Sequence, residues 1–307
     1  MLELVWLVDR EAMFEKDWIA YLFQDIPHKH HLHDEEENRY SCPVFVFNAS
    51  ISYESFLAEF QEERVPYGVI HLSDETLGNT CHYLEDSNCI FAIRNYHHPI
   101  YSKHPKVITV GLGYKSGFVP PSSTPPPSTP VPVRSQNPWF HWCFVGAVHH
   151  QARQEAIRSF LSCKPYLLQL SNGGFNSTTL SLEEYKQTMV LSKFAICPIG
   201  QGNMDTFRLY EAMEAGCVPV VLSRTAEQPY HPSYWHAVFM LPSDYDIPFV
   251  LCDTWQECLQ RMEGLMQNPA TYYDLQTKMT EFWDHQKVRW KQRIGEATKA
   301  LMSACSL

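Results

Sequence analysis

No apolar run in this 307-residue chain approaches the roughly 18 residues needed to span a bilayer. Met1 leads almost directly into Leu4–Val8, which reads as a first strand. The sequence is therefore expected to carry neither a signal peptide nor a membrane anchor. Cationic excess is missing too: the formal net charge is −10. That balance argues against a polyanion as principal partner, because nucleic-acid binders need a basic footprint to release counterions. None of the ten cysteines forms a C-x-x-C pair, which argues against a zinc ribbon or a thioredoxin-like centre. Cys143, Cys197 and Cys217 fall in or beside expected strands, where a thiol acts as a small buried hydrophobe. Cys42, Cys81 and Cys89 lie near loops, and whether they pair depends on the redox compartment.

What is present is an ordinary globular composition, 45% hydrophobic and 19% charged, over a length that favours about two domains. Leu4–Val8 followed by the amphipathic run Met13–Phe23 predicts a β-α unit. Val44–Phe47, Tyr67–Leu72, Cys89–Arg94 and Lys106–Val110 read as further strands, and Tyr53–Glu62 as a helix. Strands alternating with helices predict a parallel, doubly wound α/β sheet. His28–Glu37 is dense in histidines and carboxylates, but their spacing gives no face on which three converge, so it reads as a solvated loop and not a metal site. Between Val119 and Pro138 the composition turns to Pro, Ser and Thr, which cannot build a core. The expected domains are thus 1–118 and 139–307, joined by a 119–138 linker. Beyond it, Trp142–Val145 reads as a strand ending at Gly146, and a helix from about Gln151 carries Arg153 near its start, a phosphate-facing plan. A solvated arginine on the outer face is the alternative there. Asn48-Ala49-Ser50 and Asn176-Ser177-Thr178 match the glycosylation acceptor pattern.

The most informative stretch is Ser192–Ser223, SKFAICPIGQGNMDTFRLYEAMEAGCVPVVLS. Phe194–Cys197 is a short apolar run broken by Pro198–Gly202, whose Gly200 and Gly202 allow close backbone approach to a ligand. Asp205 or Asn203 is expected to cap the next helix, whose N–H groups and positive dipole end then face the loop. On that helix Phe207, Tyr210 and Met213 share a packing face, while Arg208, Glu211 and Ala215 recur on a neighbouring one. A guanidinium fork suits phosphate oxygens, and a carboxylate suits the two hydroxyls of a ribose. A surface Arg–Glu pair one turn apart is the plainer reading of the same spacing. Gly216 ends the helix, and Val218–Leu222 has the apolar character of a strand covered on both faces.

This segment resembles the carboxy-terminal signature of exostosin-type glycosyltransferases: Cys197-Pro198, then Gly200 and Gly202, then Asp205, Arg208 and Glu211 as D-x-x-R-x-x-E, then Gly216-Cys217-Val218-Pro219-Val220-Val221. His71–Glu75, Ile93–His97 and Val110–Lys115 are similar to the amino-terminal half of such proteins, including the ribitol xylosyltransferase-like branch. The Pro/Ser/Thr tract departs from the family, which has a shorter connection there. The resemblance implies a GT-B fold, two Rossmann-like lobes whose parallel sheets face a central cleft. It implies a nucleotide-sugar donor, such as a UDP-sugar, with Arg208 and Glu211 as donor contacts and Arg153 beside the diphosphate. It further implies inverting transfer to a glycan or glycoprotein hydroxyl, no required metal or other cofactor, and the Golgi lumen as workplace, although no anchor is expected here.

Transfer to a hydroxyl requires a neutralised leaving diphosphate and an acceptor oxygen that loses its proton. Arg208, Arg153 and the backbone donors around Gly200–Gly202, with Gly146, are the expected donor side. Asp74 and Glu75, just after the strand Tyr67–Leu72, are the expected bases, with His97 and Asp9 as competitors and a helix cap as the plainer role for Ser-Asp-Glu. Asp244-Tyr245-Asp246 offers an alternative, a metal-dependent GT-A transferase, which leaves the Arg208/Glu211 helix without a role. A catalytically inactive glycan-binding or scaffold protein is the remaining alternative.

Overall fold

Runs of buried β-branched and aromatic residues set the strands at the centre of two parallel sheets. The computed structural model describes residues 1–8, 12–32, 40–51, 53–119, 138–148, 150–171, 180–224 and 234–306. They cluster into two units, Met1–Leu112 with Lys287–Leu307, and Gly113–Gln286.

The first unit contains β1 (Leu2–Trp6), α1 (Lys16–Phe23), β2 (His28–Leu32), β3 (Pro43–Asn48), α2 (Glu54–Glu63), β4 (Tyr67–Leu72), β5 (Cys89–Arg94) and β6 (Val107–Thr109). Its sheet runs β2-β1-β3-β4-β5-β6, parallel throughout. Every residue of β3 and β4 is buried, as expected of parallel strands covered on both faces. Around them Phe45, Phe47, Tyr53, Phe60, Tyr67 and Tyr83 form an aromatic core, with Phe47 stacked on Tyr53 at 4.3 Å. The expected loop over His28–Glu37 is corrected at its start: 28–32 is an edge strand with no fully buried residue. An edge strand needs only one partner, so it forms without the apolar run that marks an inner strand, and its polar side chains blunt the open edge.

The second unit contains β7 (Phe140–Ala147), α3 (Gln151–Phe160), β8 (Tyr166–Ser171), α4 (Leu182–Val190), β9 (Ser192–Ile196), α5 (Phe207–Ala215), β10 (Val218–Leu222), α6 (Tyr234–Val238), β11 (Val250–Cys252), α7 (Trp255–Gln267) and the start of α8 (Pro269–Ala304). Its parallel sheet runs β11-β10-β9-β7-β8. Gly216 ends α5 in the left-handed region at φ 70°, and Gln276 of α8 donates to its carbonyl at 2.7 Å.

The second unit begins at Gly113, ahead of the expected linker, and the chain from Lys287 onward clusters with the first unit, contrary to the expected 139–307 domain. Packing accounts for the second difference. Trp290 is fully buried with its ring edge-on to Trp18 at 5.9 Å, and Lys291 pairs with Asp25 at 3.3 Å. Residues 120–137 of the linker lie outside the described residues. Among the described residues no helix is long and apolar enough to cross a membrane.

Candidate functional site

In the second unit β7 is flanked by β8 on one side and β9 on the other, so the strand order reverses between β7 and β9. Open α/β sheets bind ligands in the crevice that such a reversal leaves at the carboxyl ends of the strands. Both arginines singled out from the sequence converge there. Arg208 of α5 donates from Nη2 to the Val145 carbonyl at 2.7 Å, and its guanidinium lies 4.4 Å from the centroid of the Phe144 ring. Among the described residues, its buried Nε has no hydrogen-bond partner. Arg153 of α3 donates from Nε to the Ile199 carbonyl at 2.9 Å and from Nη1 to the Ala147 carbonyl at 3.1 Å. The arginine thereby ties the end of β7 to the glycine loop. Gly146 has a φ of 145°, and a Cβ there would stand 2.8 Å from Arg208 Nη2. The positive φ is what favours glycine here, and its missing Cβ also leaves the guanidinium room.

Two helices begin at this crevice, and neither is closed by a side chain. The N-cap of α3 is His150 and that of α5 is Thr206, both without a side-chain capping hydrogen bond. The Thr206 hydroxyl is buried and makes no hydrogen bond among the described residues. Elsewhere in the unit, α4 and α7 carry complete capping boxes, Ser181 with Glu184 and Thr254 with Glu257. The expected cap by Asp205 or Asn203 is thus corrected to Thr206. Asn203 instead knits the loop: its Oδ1 accepts from the Asp205 amide at 3.1 Å and the Tyr234 hydroxyl at 2.6 Å, and its carbonyl accepts from the Gly200 amide at 2.7 Å. Asp205 is buried at 1% exposure and Gly200 is buried, while Gly202 is partly exposed. A cavity of about 610 Å³ adjoins the loop, walled by Cys197, Ile199, Met204 and Trp235, with Gln151 and Thr254 among its polar residues.

Glu211, expected as a donor contact with an exposed Arg–Glu pair as the plainer alternative, does not lie on the surface. It is buried at 4% exposure, its Oε1 accepts from the Lys115 amide at 3.2 Å, and its Oε2 accepts from the Tyr185 hydroxyl at 2.6 Å. Burial raises its pKa above the ordinary glutamate value, against the lowering effects of Tyr185, the Lys115 amide and Arg208. Arg208 and Glu211 therefore leave α5 toward different partners, and the helix face that carries them is packed, not solvated.

In the first unit the expected bases change standing. Asp74 is 1% exposed; it pairs with the fully buried Arg94 at 2.7 Å and accepts from the Gly78 and Asn79 amides at 3.0 and 3.4 Å. Arg94 also donates to His71 Nδ1 at 2.8 Å and to Cys81 Sγ. Asp74 is the counter-ion of a buried cation, which corrects its assignment as a free base. Glu75 is half-buried on the following turn. His97 is partly buried, its pKa lowered to about 4 by burial, then by His98 and Lys103. Asp9 lies outside the described residues.

The carboxyl that sequence reasoning missed is Glu15, at the start of α1 and 2% exposed. Ser73, just after β4, donates its hydroxyl to Glu15 Oε1 at 2.7 Å, and Asn95, just after β5, donates its amide at 3.4 Å. Burial raises its pKa above the ordinary value, outweighing those hydrogen bonds. No motif marks it, because its two partners, Ser73 and Asn95, are brought to it only by the sheet.

The remaining sequence features fall away from both sites. Asp244 and Asp246 are both exposed, Asp244 on a turn. Asn48 is buried, its Oδ1 accepting from the Ser50 amide and hydroxyl at 3.1 and 2.6 Å, so that acceptor pattern is internal. Asn176-Ser177-Thr178 lies outside the described residues. Cys42, Cys81 and Cys89 are buried free thiols.

Two parallel, doubly wound sheets, one carrying cationic side chains at its strand reversal, define a GT-B protein, which excludes the GT-A alternative. An α1,3-fucosyltransferase crystal structure is similar over 93% of this chain and 90% of that one, with a TM-score of 0.50 and 12% identity. At that identity the likeness speaks for the fold alone. The chain belongs to the family of the RXYLT1 C-terminal domain, whose profile matches residues 126–300, more than half its length. Human ribitol-5-phosphate xylosyltransferase 1 is 26% identical over 123 residues, which cover 37% of this chain and 27% of that protein.

Proposed function

We propose that this chain is a glycosyltransferase that moves a sugar from a nucleotide-diphosphate donor to a glycan or glycoprotein hydroxyl with inversion. The observation that carries the reading is the convergence of Arg153 and Arg208 on backbone carbonyls at the strand reversal of the second sheet. An arginine that leans on carbonyls keeps its full charge available, and Arg208 spends one of its five N–H donors on Val145. A diphosphate presents the complementary acceptors. The open N-termini of α3 and α5 add backbone donors and dipole ends of the right sign.

As the bond to the anomeric carbon breaks, negative charge grows on the departing diphosphate oxygen. Fixed guanidiniums stabilise that charge without reorganisation, an effect worth about 10²–10³ in rate for a single donor. The reading needs no resident metal or other cofactor. Gly146 sets the Arg208 position, and the Gly200–Gly202 loop, anchored through Arg153, presents backbone to the donor. Glu211 acts through its ties to Lys115 and Tyr185, as a positioning group for α5. The cavity beside the loop has room for the nucleoside. The human relative's name supplies the specific candidates, xylose as the sugar and ribitol-5-phosphate as the acceptor unit.

Titration calorimetry with UDP tests the site. Wild type is expected to bind, and Arg208→Ala to bind at least about tenfold more weakly, the loss of one charge-assisted contact. Equal affinity in the two proteins removes the donor site. UDP binding without transfer from UDP-xylose to any ribitol-5-phosphate-bearing acceptor favours the inactive glycan-binding alternative.

A further inference from the structure

At the start of α5 the Thr206 hydroxyl and Arg208 Nε are buried donors without a partner among the described residues. Thr206 is the N-cap, extended at φ −138° and ψ 148° and 8% exposed. In α4 and α7 the equivalent hydroxyl accepts from the amide three residues on, Ser181 from Glu184 at 3.3 Å and Thr254 from Glu257 at 3.2 Å. In α5 that amide, of Leu209, donates instead to the Thr206 carbonyl at 3.1 Å. The hydroxyl is thereby left out of the cap. Buried polar groups are nearly always paired, and the exceptions mark strained, catalytic or ion-binding places.

Neither donor is loose. The Asp205 amide donates to Asn203 Oδ1 at 3.1 Å and the Thr206 carbonyl accepts from Leu209, so the backbone is pinned on both sides of the hydroxyl. The Arg208 guanidinium is fixed by the Val145 carbonyl and by the Phe144 ring, whose centroid lies 4.4 Å away. As the second residue of the helix, Arg208 also has a backbone amide with no intrahelical acceptor. These donors and the positive end of the helix dipole share one turn, and a phosphoryl group presents the matching oxygens. The start of α3 differs, because Arg153 there has both Nε and Nη1 engaged by carbonyls.

Resting on the proposed glycosyltransferase reading, we propose that Thr206 is a donor-binding residue: its hydroxyl donates to a phosphoryl oxygen of the nucleotide diphosphate, alongside the Arg208 amide and Nε. All of these groups belong to the second unit. The neutral hydroxyl orients the phosphoryl group, and Arg208 supplies the charge. On this assignment the hydroxyl destabilises the ligand-free protein and is satisfied only when the diphosphate is bound. A capping role predicts the opposite.

The test compares wild type, Thr206→Val, Thr206→Ser and Arg208→Ala as full chains, by titration calorimetry with UDP and with inorganic pyrophosphate, and by urea denaturation without ligand. Thr206→Val keeps the shape and removes the hydroxyl. Its affinity for both ligands is expected to fall by about tenfold, while Thr206→Ser retains wild-type affinity. The ligand-free denaturation midpoint of Thr206→Val is expected to equal or exceed that of wild type, because an unsatisfied hydroxyl has been removed. Wild-type UDP affinity in Thr206→Val, or a lowered midpoint in that variant, overturns the assignment; weakened UDP binding in Arg208→Ala would still leave the donor site standing. If wild type binds pyrophosphate but not UDP, and Thr206→Val loses it, the oxyanion site at Thr206 stands while the nucleotide reading falls. Binding of neither ligand by wild type removes both.

Discussion

Gly146→Ala is the most exacting perturbation, because it adds one methyl group to a backbone position that no substrate need touch. A Cβ at this position would lie 2.8 Å from Arg208 Nη2, against the 3.4 Å at which ordinary contact begins, so the guanidinium must retreat by about 0.6 Å. That retreat sacrifices the 2.7 Å bond to the Val145 carbonyl, and a hydrogen bond from a charged group contributes about 1.5–3 kcal/mol. The φ of 145° adds a backbone penalty of about 1–3 kcal/mol for an alanine. Together these predict a loss of about 2.5–6 kcal/mol in unfolding free energy, read by urea denaturation of the full chain. UDP affinity is expected to fall by about 10–100-fold, since a displaced fork loses its alignment with the phosphate oxygens. Calorimetry on Gly146→Ala, Arg208→Ala and the double variant separates the two effects. In binding, the double variant should match Arg208→Ala, because both changes act through one side chain. Wild-type affinity in Gly146→Ala, or fully additive losses in the double variant, would refute the coupling.

Asp74→Ala strands the buried Arg94 guanidinium and is expected to destabilise the protein by about 3–5 kcal/mol, seen as a lower denaturation midpoint; a change below about 1 kcal/mol would return Asp74 to the candidate bases. Glu211 has a folded-state pKa above its unfolded value, so the native state holds a proton that the unfolded state has already released. Stability should therefore fall as pH rises from the unfolded glutamate pKa through the raised one, and Glu211→Gln should flatten that fall. Glu15 is shifted in the same direction, so a smaller slope should remain; denaturant midpoints across a pH series check both, and an unaltered slope in the variant would contradict the assigned cause.

The inner strands were legible because burial on both faces writes a continuous apolar run. Tyr67–Leu72, Cys89–Arg94 and Val218–Leu222 fall where the sequence puts them. Edge strands were not, since β2 reads HKHHL and its polarity suits a strand paired on one side. Gly146 and Arg153 were legible together because a strand, a glycine and a helix start lie close together in the chain. The reason Gly146 must be glycine was not, as it depends on a side chain some sixty positions away. Asp74 misled for a related cause: its place after β4 suits a base, but its partner Arg94 comes from the neighbouring strand. Glu15 left no trace, because Ser73 and Asn95 are local to it only once β4 and β5 pair.

The uncapped starts of α3 and α5 bear on any attempt to toughen this protein. A screen for heat resistance would favour serine or aspartate at His150, since a good N-cap contributes about 1 kcal/mol. Such a winner would set its own oxygen on the amides that the proposed donor would use, so on that reading hardiness and occupancy are traded against each other at one residue.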